Sequence, residues 1–157
     1  MIIEEEIKQI MLKYKLTQDE MYKHDSNLIL INARGIRKII TTEKLNVSKR
    51  VEFNPSGGVA VVARVEKGNV FTADHSFYEA IGEAQLGLNT TFKFPIAVAE
   101  SRANGRAVLM SIGLYEKGII SEAELDMEVE AQEIIEKRKT QVNTATVSLM
   151  DKIKKKK

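Results

Sequence analysis

One stretch of the sequence, residues 95–114, constrains the possible fold more than any other part of the chain. It opens with Pro95, which suits the first turn of a helix because the N–H that proline lacks would have no partner there. Apolar residues then recur at spacings of three and four, which predicts one buried helical face: Ile96, Ala99, Ala103, Ala107, Met110 and Leu114. Most of these side chains are small, so the helix can lie very close to a sheet, and Gly113 is a stop signal near its end.

Two arginines of this stretch, Arg102 and Arg106, are four residues apart. Residues at this spacing are neighbours on a helix surface, so the pattern predicts that both side chains project side by side away from the apolar face. The simplest interpretation is an amphipathic helix with two solvated arginines. The sequence on either side of the helix supports a functional alternative.

Composition excludes several classes of protein. The chain has 157 residues, 43% of them hydrophobic and 29% charged, which predicts one domain with a real core. It has no cysteine, so disulfides and thiolate metal sites are excluded, and its two histidines are isolated. There is no apolar run of membrane-spanning length and the N-terminus is acidic, so we expect no membrane association and a cytoplasmic location, in the host cell if the chain is phage-encoded.

Charge is distributed in blocks although the net charge is only +2. Residues 34–50 carry six basic residues against one acid, and residues 116–136 carry eight acids against one lysine. Residues 151–157 add five lysines and one aspartate, which leaves the rest of the chain at −2. Separate blocks of this kind indicate a surface that faces a polyanion, although single-sign blocks are also typical of solvated faces.

Periodicity and turn signals predict an α+β fold, with an antiparallel β-hairpin sheet packed on the long central helix and helical additions at both ends. Helices are expected at residues 2–14 and 33–45, with a further helical turn from Thr17. Strands are expected at 27–32, 49–53, 59–65 and 70–84, the last with a break near 74–76. Lys67-Gly68-Asn69 predicts a hairpin between the last two strands. Ser121, with Glu124 in the capping-box position, predicts a final helix.

These elements predict a single domain over residues 1–139, with its core at 28–114 and a C-terminal helix at 121–139. Residues 140–157 are expected to form a flexible basic tail. No catalytic motif is recognisable, so we expect a protein that is not an enzyme and that carries no cofactor. Glu79 and Glu83 lie on one face of a predicted strand, and a metal-dependent nuclease using them is the least favoured interpretation.

A nucleic-acid-binding interpretation has more support. The basic block at 34–50 spans a helix and a strand, so its charges can converge on one surface, and basic groups beside aromatic rings suit single-strand binding. The nearby aromatic residues are Phe71, Phe77, Tyr78, Phe92 and Phe94. The candidate nucleic-acid-binding residues are Arg34, Arg37, Lys38, Lys49, Arg50, Arg64, Arg102 and Arg106. The contrary interpretation is that the phenylalanines are core and the arginines are solvated.

The order of these elements, together with three sequence runs, resembles the single-strand annealing proteins of phages, the broad Erf and Sak group related to the eukaryotic Rad-type annealing protein. The runs are LINARGIRKI at 30–39, AIGEA at 80–84 and AESRANGRAVL at 99–109. The resemblance covers residues 28–114. It implies a β-β-β-α module that assembles into rings or filaments and holds single-stranded DNA in a basic groove.

The resemblance also assigns roles to the two helix arginines. It places Arg106 at the position of a groove-lining basic residue, while the next basic residue of the Rad-type protein falls on Ala107 here. The arginine matching Arg102 has either a DNA contact or a structural role beside an acid.

Two functions follow as expectations. The first is a non-enzymatic, homo-oligomeric protein of phage-type recombination that binds single-stranded DNA and promotes strand annealing. The second is a structural or assembly protein of a phage or mobile element whose basic tail contacts nucleic acid.

Overall fold

The computed structural model describes residues 4–24, 28–53, 58–68, 74–85 and 94–125. Its helices are α1 (Glu4–Tyr14), α2 (Ala33–Glu43) and α3 (Pro95–Ser111). Its strands are β1 (Met21–Lys23), β2 (Ile29–Ile31), β3 (Asn46–Phe53), β4 (Val59–Lys67), β5 (Ser76–Ala84) and β6 (Ile119–Ser121). Single turns of 3-10 helix, Tyr115–Lys117 and Glu122–Glu124, flank β6. The α+β class is confirmed, while the predicted tail at 140–157 and most of the helix predicted at 121–139 lie outside the described residues.

The larger sheet has the order β3-β4-β5, with both neighbouring pairs antiparallel. The predicted antiparallel pairing of β4 with β5 is therefore confirmed. Their connection is longer than the predicted hairpin, because β4 ends at Lys67 and β5 begins at Ser76, where the break in the long strand was expected. Gly68 has a φ of +84° and still turns the chain at the end of β4.

Helix α3 packs across β4 and β5 and forms the centre of the core. Ala99, Ala103 and Ala107 are fully buried, as the spacing predicts, whereas Ile96 in the first turn is 43% exposed. Gly82 of β5 lies directly beneath the helix: a Cβ atom there would come within 2.1 Å of the Ala99 carbonyl oxygen. The small helix face therefore allows main-chain contact between helix and sheet.

A second, smaller sheet was not predicted. In it β2 pairs antiparallel with β1 and parallel with β6. The helical turn expected from Thr17 is confirmed as a single turn: the Glu20 and Met21 N–H groups donate to the Thr17 carbonyl oxygen (both 3.0 Å), and β1 follows at once. The Thr17 N–H donates to the Glu20 carboxylate, as in a capping box (3.0 Å). Ser121, in contrast, is the last residue of β6 and makes no side-chain cap. The strand predicted at 27–32 is confirmed as β2, whereas β1 and β6 are too short to show a period, so only their tertiary pairing defines them.

Left-handed residues end all three helices. After α3, Gly113 has a φ of +69° and its N–H bonds the Met110 carbonyl (3.1 Å), which confirms the predicted stop. After α1 and α2 the same position is held by Lys15 and Lys44, with φ of 52° and 53°. After each helix, the N–H of the residue that follows the left-handed one donates to the carbonyl oxygen five residues earlier, as in a Schellman motif.

Glu43 at the end of α2 ties three elements together. Its carboxylate pairs with Lys13 (2.6 Å) and Lys67 (3.2 Å) and accepts a hydrogen bond from the Tyr14 hydroxyl (2.9 Å). The hydrogen bond from Lys13 is the main reason that the pKa of Glu43 falls to about 2. This cluster joins α1 and β4 to α2.

We expect Gly82→Ala to lower the free energy of unfolding by about 3 kcal/mol, because α3 must move away from β5 to admit the methyl group. Gly58→Ala is the matched control, since the nearest atom to its Cβ would be 3.5 Å away. That control should change stability by less than about 1 kcal/mol. Urea unfolding of both variants measures the difference. Equal losses would contradict the close approach at Gly82.

We expect Glu43→Gln to remove part of the acid sensitivity of the fold. The folded pKa of Glu43 is lowered, so its stabilising contribution is present above pH 4.5 and is lost as the pH falls towards about 2. Lys13 is largely solvated, so we expect the contribution to be about 1 to 2 kcal/mol. Thermal unfolding between pH 6 and pH 2.5 tests this. Parallel pH profiles for the two proteins would contradict it.

Candidate nucleic-acid interface

The eight candidate residues do not share one surface. Arg102 and Arg106 of α3 lie against β5, Arg50 and Arg64 lie on the sheet face opposite α3, and Arg34, Arg37, Lys38 and Lys49 lie on the α2 side of the sheet. Lys49 and Arg50 are adjacent in β3, and adjacent strand residues point to opposite faces. The predicted convergence of the whole basic block is therefore wrong.

Arg102 is buried, with 0% of its surface exposed, so the prediction that it projects at the surface is wrong. Its guanidinium donates to the Glu83 carbonyl oxygen (2.7 Å) and to the Ala123 carbonyl oxygen (3.0 Å). A buried guanidinium needs such partners because leaving it unpaired is costly. Arg102 therefore joins α3, the edge of β5 and the segment after β6, which is the structural role left open by the resemblance.

Arg106 is also turned inward. It donates to the Ile81 carbonyl oxygen (2.5 Å) and pairs with Glu124 (2.9 Å). Burial is the largest influence on the pKa of Arg106 and acts to lower it, but the hydrogen bond and charge of Glu124 together with Tyr115 outweigh it, so the pKa is raised. Glu124 is thus a partner of α3, and the capping-box role predicted for it is wrong. The resemblance implies that Arg106 lines a groove for DNA, whereas here its guanidinium is engaged by Ile81 and Glu124.

The sheet face opposite α3 carries mixed charge. Arg50 pairs with Glu52 (2.9 Å) and Glu79 (3.4 Å), and Arg64 pairs with Glu66 (2.9 Å). The Arg64 guanidinium also covers the ring of Phe77, 4.3 Å from its centroid. Local carboxylates therefore neutralise both arginines. Phe77 and Phe94 are exposed, Tyr78 is half-buried, and Phe71 and Phe92 lie outside the described residues.

Helix α2 presents the least neutralised cations. Asn32 caps its start by accepting from the Arg34 and Gly35 N–H groups (3.0 and 3.1 Å), and this fixes the first turn. Arg34 and Arg37 are exposed, three residues apart, and neither makes an ion pair with a carboxylate of the described residues. Three residues along a helix place side chains on neighbouring positions of one surface.

Two further cationic residues border this helix surface, Lys38 of α2 itself and Lys15 of the turn after α1. Lys38 bonds both the Glu20 carboxylate (2.6 Å) and the Lys15 carbonyl oxygen (2.9 Å), and its ammonium lowers the pKa of Glu20. A groove of about 290 Å³ is lined by Tyr14, Lys15, Arg37, Lys38, Thr41 and Thr42. We call Lys15, Arg34, Arg37 and Lys38 the α2 surface. Sequence analysis missed Lys15 because only the turn after α1 places it beside α2.

A second cleft, of about 590 Å³, lies on the other side of Arg37. Arg37 and Lys49 contribute cations to its wall, but Lys49 is paired with Glu100 (2.5 Å) and Glu122 also lines it. The carboxylates make this cleft less favourable to a polyanion than the groove beside Lys15. Of the predicted residues, Arg37 is thus the one placed between both concave surfaces.

Metal and membrane sites have no support in the described ranges. No group of three carboxylate or histidine side chains is placed there to hold a metal ion. Glu79 and Glu83 do share an exposed face of β5, and Glu79 is paired with Arg50. Among the same residues, no helix combines the length and the apolar character needed to cross a bilayer.

Comparison with protein-family models, with curated proteins and with solved structures returns no match.

We expect Arg102→Met to lower the free energy of unfolding by about 3 kcal/mol, because it leaves the Glu83 and Ala123 carbonyls without their donor. Arg34→Met is the matched control: it removes the same charge from an exposed site and should change stability by less than about 0.5 kcal/mol. Urea unfolding measures both. A stability loss for Arg102→Met no larger than that of the control would contradict the structural role.

Proposed function

We propose that this chain binds single-stranded nucleic acid through the α2 surface and, as a homo-oligomer, promotes the annealing of complementary strands. The observation that carries the proposal is the pair Arg34 and Arg37. Both are exposed on one side of α2 without a carboxylate partner in the described part of the chain. The other candidate arginines are buried or paired with carboxylates.

Phosphate contact is the chemistry that this surface supports. Guanidinium groups match phosphate oxygens in a bidentate geometry, and the ammonium groups of Lys15 and Lys38 add positive charge alongside. The hydroxyls of Thr41 and Thr42 line the same groove and can donate to phosphate. Such contacts carry no sequence information, so binding should be tolerant of sequence.

Annealing further requires that the bases stay free to pair. Among the described residues, Tyr14 is the one aromatic side chain that lines the groove beside Arg37, so the α2 surface would hold the backbone and leave most bases unstacked on protein. This differs from the groove that the family resemblance implies, because the proposed contacts come from α2 and Arg106 takes no part. The resemblance supports the assembly into several copies and the activity on strands.

A second candidate function is an assembly protein of a phage or mobile element. It is favoured by exposed apolar side chains on the sheet face opposite α3, where Phe77 and Ile81 are 54% and 51% exposed. Large exposed apolar groups of this kind are typical of protein-binding surfaces. In this alternative the α2 surface would be solvated, and charge reversal there would leave assembly and function intact.

We expect wild-type protein to bind a labelled single-stranded oligonucleotide with an affinity that falls steeply with salt. Arg34→Glu combined with Arg37→Glu should weaken binding at least about tenfold and reduce the salt slope by about 1.4, for two lost phosphate contacts at about 0.7 each. Fluorescence anisotropy measures both quantities. Annealing of two complementary strands, followed by energy transfer between labels, should fall in parallel.

The matched control is Lys8→Glu combined with Lys23→Glu. It changes the net charge by the same amount at two exposed lysines outside the α2 surface. Its binding should stay within a few-fold of the wild type. An equal loss in the control would show that net charge alone matters, and wild-type protein that fails to bind at low salt would overturn the proposal.

A further inference from the structure

The two edges of the β3-β4-β5 sheet differ in their hydrogen bonding. On the outer edge of β5, the Ile81 and Glu83 carbonyl oxygens accept hydrogen bonds from Arg106 and Arg102. On the outer edge of β3, no backbone hydrogen bond from the described residues is present. One edge is therefore partly occupied by side chains of α3, and the other, eight residues long, has no backbone partner among the residues that the structure describes.

The register identifies which groups of β3 point outward. Main-chain groups of successive strand residues alternate between the two sides of the strand. The carbonyl oxygens of Ile81 and Glu83 point away from β4, so the main-chain groups of Gly82, which lies between them, point towards those of Val61 in β4. The neighbouring Val62 then bonds to Arg50 of β3. The outward main-chain groups of β3 are consequently those of Val47, Lys49, Val51 and Phe53.

This asymmetry restricts how copies of the chain can extend the sheet. A head-to-tail arrangement would place the β3 edge of one copy on the β5 edge of the next, where the Ile81 and Glu83 carbonyl oxygens are already occupied. Two β3 edges, in contrast, can pair with each other in an antiparallel arrangement about a two-fold axis, and both then gain backbone partners. An open edge of this length also favours pairing with a second chain.

We propose that a second copy of this chain docks on the β3 edge, with Val51 of one copy opposite Val51 of the other. In this register Arg50 of each copy faces Glu52 of its partner, so two pairs of opposite charge form across the axis. Val51, which is 47% exposed in the single chain, covers its own equivalent.

Four other two-fold registers, centred on residues near the middle of β3, are less favourable. Centring the axis on Lys49, Arg50 or Glu52 places identical charges opposite each other, which is destabilising. Centring it on Ser48 forms no pair of opposite charges and leaves Val51 outside the strand pairing. Lys49 does not obstruct the Val51-centred register, because its ammonium is held by Glu100 on the α3 side of the sheet (2.5 Å).

This inference specifies the contact that builds the homo-oligomer of the proposed function, and it does not depend on strand binding. A two-fold dimer would carry two α2 surfaces, one on each copy, which is what holding two complementary strands in one particle requires. Dimer formation is measured on the full chain without nucleic acid, so a failure of dimer formation and a failure of strand binding are separate results.

Analytical ultracentrifugation of the wild-type chain should give twice the mass of one chain at micromolar concentration. Arg50→Glu and Glu52→Arg should each raise the dimer dissociation constant by about tenfold or more, because like charges then face each other across the axis. The double variant Arg50→Glu/Glu52→Arg exchanges the two charges and should restore the wild-type dissociation constant. A monomeric wild-type chain, or a double variant no better than the single ones, would overturn the proposal.

Cysteine cross-linking tests the register directly, since the chain has no cysteine of its own. Val51→Cys should form a disulfide-linked dimer under air oxidation, because facing residues of an antiparallel pair have Cα atoms about 5.5 Å apart. Ser48→Cys, on the same strand, and Leu12→Cys, an exposed site on α1, should cross-link at least about tenfold more slowly. Cross-linking of either control as fast as Val51→Cys would overturn the register.

Discussion

The contact between the main chains of α3 and β5 determines much of the rest of this molecule. Gly82 lets the backbone of the helix lie directly on the strand, and the fully buried alanines of α3 continue that close packing over β4. At this short distance the long side chains of Arg102 and Arg106 extend past the edge of β5 to its carbonyl oxygens. A bulkier helix face would hold the axis farther from the sheet, as in ordinary helix–sheet packing, and the same guanidinium groups would fall short of those oxygens.

Two properties follow from this one contact. The first is that α3 contributes no exposed cation on its buried side, so among the candidate residues the unpaired positive charge lies on α2. The second is that the sheet has one blocked edge and one open edge. Buried arginines are usually regarded as costly, and here the cost is offset by hydrogen bonds to main-chain carbonyls that would otherwise lack a partner. The guanidinium groups of Arg102 and Arg106 thus give hydrogen-bond partners to two carbonyl oxygens at the edge of β5, and these oxygens are no longer available to another strand.

The α2 surface depends on a different part of the fold. Asn32 fixes the start of the helix through its own cap and through a hydrogen bond to the Asp19 carbonyl oxygen (2.7 Å). The left-handed Lys15 then ends α1 so that its carbonyl oxygen reaches Lys38. Glu20 draws Lys38 towards the protein, whereas Arg34 and Arg37 of the same helix stay exposed. Which of the neighbouring basic residues remain exposed therefore depends on which of them are paired with carboxylates.

Patterns in the sequence alone predict the α+β class, the pairing of β4 with β5, helix α2, and the limits and buried face of α3. Each of these rests on local signals: a period of 3.6 or 2, a proline at a helix start, a glycine at its end. The strands β1 and β6 have three residues each and no period of their own, so they depend on tertiary pairing. The environments of Arg102 and Arg106 likewise depend on the tertiary structure. Spacing alone predicts that those arginines lie side by side, but whether that side faces solvent depends on how closely the helix packs on Gly82. Charge in the sequence likewise identified a basic block, whereas its division between two faces of a sheet follows from strand geometry and from the carboxylates that the fold places beside each residue.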